Sequence, residues 1–299
     1  MEDQAAGSAR DAHSLPKCYR HPDRETGVRC TRCERPICPE CMVSASVGFQ
    51  CPECVRGATA GHSGPPPAAS RPRTIAGGTV TMDPRLVTKI LIGINIAVFL
   101  IQVSVGNSFT NHFEMIGQAQ YSQVSPLEGV AQGQYYRMLT AMFLHDPGNP
   151  MHIAFNMLSL WWIGGPLEAA LGRARYITLY FVSGLAGSAL TYLLAAQNQP
   201  SLGASGAIFG LFGATAVLIR RLNYDMRPII ALLVINLIFT FSGGIAWQAH
   251  IGGLVAGVVT GYAMVHAPRE RRNLIQYGTC ALVLVVTVVL TVVRTAQLT

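Results

Sequence analysis

The sequence predicts an all-α, polytopic membrane protein carrying a small metal-stabilised head. Three observations point there. Half of the 299 residues are hydrophobic and only 12% are charged, too few charges to solvate the surface of a soluble chain of this length. The apolar residues gather into seven segments, at 87–105, 151–171, 176–196, 204–219, 228–241, 247–265 and 274–293, most of them near the ~20 residues that a helix needs to cross hydrocarbon. Seven of the eight cysteines fall before residue 55.

In the head, residues 14–56, the spacing is regular: Cys18-x2-His21, Cys30-x2-Cys33, Cys38-x2-Cys41 and Cys51-x2-Cys54. An x2 spacing lets both side chains of one turn reach one ion, and four such pairs make two closed tetrahedral sites of the kind that Zn²⁺ fills. Disulfides fit less well, because one ligand is His and the cysteines are odd in number. So short a segment, with Ile37, Val43 and Phe49 among its few large apolar side chains, folds only with its metal. It resembles the B-box-type zinc fingers, and that resemblance implies that Cys18, His21, Cys38 and Cys41 share one ion while Cys30, Cys33, Cys51 and Cys54 share the other. Closed sites leave no open position for chemistry, so the head reads as a docking or regulatory module with a cytoplasmic protein partner. Residues 57–83 turn to Gly, Pro, Ala and Ser and read as a flexible linker; His13 and His62 are solvated bystanders.

The basic residues orient the spans. Arg71, Arg73, Arg85 and Lys89 precede the first; Arg173 and Arg175 join the second to the third; Arg220, Arg221 and Arg227 join the fourth to the fifth; Arg269, Arg271 and Arg272 join the sixth to the seventh. Loops 197–203 and 242–246 contain neither Lys nor Arg. The expected N-terminus is therefore cytoplasmic and the C-terminus external, with the first span an uncleaved signal anchor in a bacterial plasma membrane. That side is reducing, which further disfavours disulfides. The net charge of +7 is accounted for by topology rather than by nucleic acid.

A few polar residues interrupt the spans: His152 and Asn156 early in the second, Ser205 opening the fourth and His250 early in the sixth. All lie toward the external side, and at that depth each needs a partner or a wet cavity. Ser205 taken alone reads as a small packing residue, and Gly206 and Gly210, like Gly253, Gly257 and Gly261, form rows that allow helices to approach closely. The same approach is what a Ser-His pair requires, with His250 as general base for a Ser205 nucleophile. His152 and Asn156, four apart on one helical face, supply donors for an oxyanion. Asp146 and Asp225 lie in loops and Glu168 near the inner end of its span, so the expected machinery is a dyad without an acid.

These motifs resemble the rhomboid intramembrane serine proteases over residues 83–266: HIAFN for HxxxN at His152 to Asn156, GASG for GxSG at Gly203 to Gly206, and Ala249-His250 followed by small residues. Tyr136-Arg137 resembles the motif that ends the family's first loop, and GGPLEAALG places Glu168 as a packing and hydrogen-bonding residue. The resemblance implies a six-helix core over residues 84–267 with a seventh, peripheral helix in residues 268–299. It implies attack by Ser205, proton transfer by His250, an oxyanion site formed by His152, Asn156 and the Ser205 amide, and no cofactor for catalysis. Phe209 stands where bacterial relatives often have Tyr, which keeps ring packing on His250 without a hydroxyl. His145 is read as a surface residue or as part of the entrance.

The expected activity is hydrolysis of peptide bonds in or near transmembrane segments of membrane proteins. The alternative is an inert relative that binds such clients, which the presence of both Ser205 and His250 disfavours. A transporter would place its polar groups near the midplane and often repeat its halves, and neither feature is seen.

Overall fold

The computed structural model describes residues 15–45, 47–59, 73–242 and 247–299. His13, His62, Arg71, most of the expected linker and loop residues 243–246 lie outside them. The chain divides into two compact units, Met1–Ser70 and Arg71–Thr299.

The smaller unit has little regular structure: a 3-10 turn at Pro39–Cys41, an antiparallel pair of strands β1 (Val43–Ser44) and β2 (Phe49–Gln50), and helix α1 (Pro52–Thr59). Its buried centre consists of Ile37 and the sulfurs of Cys18, Cys30, Cys38, Cys41 and Cys51, while Phe49 is exposed. One buried aliphatic side chain does not offset the entropy of ordering some 40 residues.

The larger unit contains α2 (Leu86–Val105), α3 (Asn107–Phe113), α4 (Arg137–Thr140), α5 (Pro150–Ser159), α6 (Gly165–Leu171), α7 (Arg173–Leu194), α8 (Ser205–Arg221), α9 (Arg227–Ser242), α10 (Trp247–His266) and α11 (Arg272–Leu298). Each of the seven apolar segments of the sequence is helical. Helices α2, α7, α10 and the stretch Arg269–Leu298 are long and apolar enough to span a bilayer; α8 and α9 are shorter. The second segment is not one regular helix, because a π-turn at Leu160–Gly164 joins α5 to α6. The protein is a polytopic helical membrane protein.

Lipid supplies no hydrophobic force between helices, so association depends on close packing. Helix α10 meets α8 and α7 through glycine. A Cβ on Gly253 would collide with the Gly206 carbonyl, one on Gly257 with the Gly210 backbone, and one on Gly252 with the Ala186 carbonyl. Large apolar side chains such as Leu100 on α2 and Leu282 and Val288 on α11 remain exposed on the outside of the bundle, where acyl chains solvate them.

Buried polar groups staple the rest. Both carboxylate oxygens of Glu168 on α6 are used: they accept from the Val87 and Thr88 amides at 3.0 and 2.9 Å and from Thr88 Oγ1 at 2.9 Å, satisfying N–H groups that the first turn of α2 leaves without helical partners. Arg137, 0% exposed, donates to the carbonyls of Asn111 and Glu114 and to the side chains of Gln134 and Glu128, which ties the long first loop together. Part of the segment expected to be linker is folded. Ala76 is 1% exposed, its N–H donates to Ala170 O and its carbonyl accepts from Gln276 Nε2 on α11. The tight Thr74-to-Gly78 turn, with Gly77 at φ +86°, allows this. Gln276 also donates to Met264 O on α10, so α11 is tied to the bundle by more than lipid exclusion.

These contacts make the glycines unequal. Gly257→Ala is expected to destabilise the bundle by ~1–3 kcal/mol through overpacking, whereas Gly93→Ala, whose Cβ would meet nothing within 4 Å, should be neutral or stabilise by up to ~1 kcal/mol. Thermal unfolding of the two variants in one detergent compares them directly.

Candidate functional site

Helix α8 begins at Ser205, and two contacts fix the approach to it. The first loop pairs with the preceding segment in an antiparallel bridge, Met115 N–H to Ser201 O at 3.0 Å and Ser201 N–H to Met115 O at 2.8 Å, and Gly203 N–H donates to Ala141 O at 2.9 Å. Gly203 itself has φ +133°, a conformation open to glycine. The chain then turns into α8 with the serine hydroxyl at its first residue.

His250 lies one turn into α10, 3% exposed, with Nε2 2.6 Å from Ser205 Oγ. The Phe209 ring, one turn after the serine, stacks on the imidazole at 4.2 Å and 7° between planes. Stacking confines the imidazole to the plane from which it reaches the serine. The glycine contacts between α8 and α10 bring the two helices close enough for this short bond.

His152 approaches from α5. Its Nδ1 faces the Asp146 N–H at 3.3 Å; its Nε2 is buried without a hydrogen-bond partner among the described residues. A Cβ built on Gly203 would stand 3.0 Å from His152 Nε2 and 3.5 Å from Ser205 Oγ. The absence of that carbon leaves a small hollow bordered by a serine oxygen and an unspent imidazole nitrogen, which is the arrangement an oxyanion formed at Ser205 requires. Asn156, one turn further on and buried, directs one amide hydrogen back to the His152 carbonyl at 2.8 Å. Gly206 packs on Ala249, while Arg137 and Glu168 act at a distance, in the loop and at the far end of the bundle.

His145 departs from the surface reading. It is 0% exposed, its ring 5.2 Å from that of His152, because Gln102 at the end of α2 draws its backbone inward: Gln102 Oε1 accepts from His145 N and Gln102 Nε2 donates to His145 O, both at 2.9 Å. Gln102 was visible in the sequence as a lone amide in an apolar span, but nothing there indicated its partner.

In the smaller unit, two groups of ligand atoms, Cys18, His21, Cys38, Cys41 and Cys30, Cys33, Cys51, Cys54, each lie within 4.8 Å of one another, so pairs one and three converge, as do pairs two and four. His21 turns Nδ1 inward, 3.2 Å from Cys38 Sγ and 3.5 Å from Cys41 Sγ. All these cysteines are free thiols. Burial works against ionising Cys18, yet backbone N–H groups of Cys38, Arg20 and His21 lower it to about 6; Cys30 is likewise lowered to about 6 against its burial, by the N–H groups of Cys51, Arg32 and Cys33. Burial and the neighbouring sulfurs push Cys41 up to about 11 and Cys54 to about 12. Backbone donors thus favour thiolates that repel one another, and a divalent cation between them removes the repulsion. The second group also has a protein cation: Arg35 Nε donates to Cys33 Sγ at 3.3 Å. Both groups fit a metal ion.

If the hollow beside Gly203 is where charge develops, filling it should slow chemistry at Ser205 without unfolding the protein. Gly203→Ala is expected to react with a serine-directed fluorophosphonate at least tenfold more slowly than the wild type, measured by labelling time courses on folded protein.

Comparison with known proteins bears on the larger unit. A family model described as the rhomboid domain matches residues 132–267. The rhomboid protease GluP of Bacillus subtilis (strain 168) is 34% identical over 172 residues, 56% of this chain but 32% of GluP. A second rhomboid relative from that organism, YdcA, is 34% identical over 150 residues, 48% of this chain and 74% of YdcA. The rhomboid protease AarA of Providencia stuartii is 28% identical over 217 residues, 62% of this chain and 74% of AarA. This chain thus spans about a third of GluP and three quarters of the other two. Agreement at a third of the positions across most of YdcA reflects common descent, and the chain belongs to the rhomboid family.

Proposed function

We propose that the protein is a serine-type intramembrane endopeptidase that hydrolyses peptide bonds in or near the transmembrane segments of other membrane proteins. The observation that carries this reading is the 2.6 Å contact between Ser205 Oγ and His250 Nε2 on two apolar helices. A serine and a histidine packed together in a bundle of this kind cost stability and return it only through chemistry. The names of the relatives agree with it.

In this reading His250 Nε2 takes the proton of Ser205 as Oγ attacks the scissile carbonyl. The oxyanion moves into the hollow beside Gly203, where His152 Nε2, the Ser205 amide and Asn156 serve as donors. His250 then protonates the leaving amine, and water from the same side hydrolyses the acyl-enzyme. A helix hides its carbonyls in its own hydrogen bonds, so a substrate must unwind locally, which Gly or Pro eases.

The arginine distribution supports a cytoplasmic N-terminus and an external active-site mouth in a bacterial plasma membrane. The two ligand groups are assigned zinc, since sets of four cysteines, or of three cysteines with one histidine, suit that ion. Bound zinc would supply fold rather than catalysis, held by Cys18, His21, Cys38 and Cys41 in one site and Cys30, Cys33, Cys51 and Cys54 in the other. The head docks a protein partner.

Two experiments test these assignments. Reconstituted with a fluorescent transmembrane substrate, Ser205→Ala and His250→Ala should each lose at least ~1,000-fold in turnover; cleavage equal to the wild type would overturn the protease reading. Metal analysis should find about two zinc per chain, and Cys51→Ser should lose one and lower the thermal stability of the head.

A further inference from the structure

We propose that Gln102, far from any bond that is made or broken, is a positioning residue that sets the tautomer of His152. The proposal rests on the reading of Ser205 and His152 as catalytic machinery and names a residue of the first span that supports it.

The geometry runs through a single peptide unit. The carbonyl of His145 and the N–H of Asp146 belong to the same planar trans group, so fixing the direction of one fixes the other. Gln102 Nε2 donates to His145 O at 2.9 Å and Gln102 Oε1 accepts from His145 N at 2.9 Å. The remaining hydrogen of that amide goes to Thr110 Oγ1 at 3.0 Å. One donor and two acceptors surround the side chain, which leaves one way round for the amide. Gln102 and His145 are fully buried and Thr110 nearly so, so water does not compete for the clamp.

Held this way, the peptide directs the Asp146 N–H at His152 Nδ1, 3.3 Å away. A neutral imidazole that accepts at Nδ1 carries its proton on Nε2. That nitrogen borders the hollow beside Gly203 and Ser205 and has no other partner among the described residues. The Nε2–H tautomer can donate to an oxyanion there; the Nδ1–H tautomer presents a lone pair to it and repels it. Without Gln102, the peptide loses the partner that orients it, and His152 divides between the two forms.

The test reads the tautomer itself. In full-length protein labelled with ¹⁵N-histidine in detergent micelles, two-bond ¹H–¹⁵N spectra at neutral pH, assigned to His152 by comparison with His152→Gln, should show a pyridine-like Nδ1 and a pyrrole-like Nε2. Gln102→Met, close in shape but unable to clamp the peptide, should show a mixture of tautomers and at least a tenfold fall in kcat with KM within twofold. If it does not fold, Gln102→Asn, whose amide is too short to close the clamp, takes its place. A wild-type His152 protonated at Nδ1 overturns the proposal, and so does an unchanged tautomer in a folded Gln102 variant, even with reduced kcat. If the tautomers behave as expected but Ser205→Ala cleaves like the wild type, the protease reading fails and the role of Gln102 in orienting His152 stands.

Discussion

Gly206 and Gly210 on α8 lie against Gly253 and Gly257 on α10 so closely that a methyl group on Gly253 or Gly257 would enter the opposing backbone. The position of the catalytic pair depends on that contact. Ser205 and His250 sit at the same end of the two glycine rows, and the helix axes must come within a small-residue distance before a short serine side chain can touch an imidazole. In hydrocarbon, where apolar side chains gain nothing by leaving lipid for protein, such a contact is held by dispersion and by the absence of bulk. The rows that look like packing and the pair that looks like chemistry are parts of one interface.

The polar side chains inside the larger unit obey one rule: each satisfies backbone groups that lipid could not. Glu168 takes the free amides at the start of α2, Arg137 gathers two carbonyls of the first loop, Gln102 pairs with the His145 backbone, and Gln276 joins the Ala76 turn to α10. Irregular backbone at membrane depth is tolerated where it is satisfied by protein in this way. The first loop and the run-in to Ser205 can therefore be non-helical and still hold their shape beside the site. The smaller unit solves the opposite problem. It has water around it and almost no apolar interior, and its ligand groups take the place of a core.

Much of this was legible in the sequence because local rules decide it. The seven helical segments follow from runs of apolar residues, and the ligand spacing follows from what one turn can reach around an ion. His152, Ser205 and His250 stood out because a polar side chain in such a run is costly. The short α8 and α9 were also legible, since their apolar runs are short. The π-turn in the second span was not, because it arises from how Leu160 to Gly164 pack in the bundle. The folded turn around Ala76 read as linker, because Gly and Ala have the same composition in a flexible tether as in a backbone that docks tightly on a helix end.

By itself, then, the sequence determined which segments cross the membrane, which residues carry reactive groups and which cysteines pair by spacing, because periodicity, composition and short-range reach are properties of the chain alone. The tertiary structure decided what those groups meet: the stacking of Phe209 on His250, the hollow left by Gly203 beside His152, the burial of His145, and the convergence of Gln102 from the first span on a peptide 43 residues away. Such meetings depend on three-dimensional packing between segments remote in sequence. No local pattern encodes which carbonyl a buried amide will find.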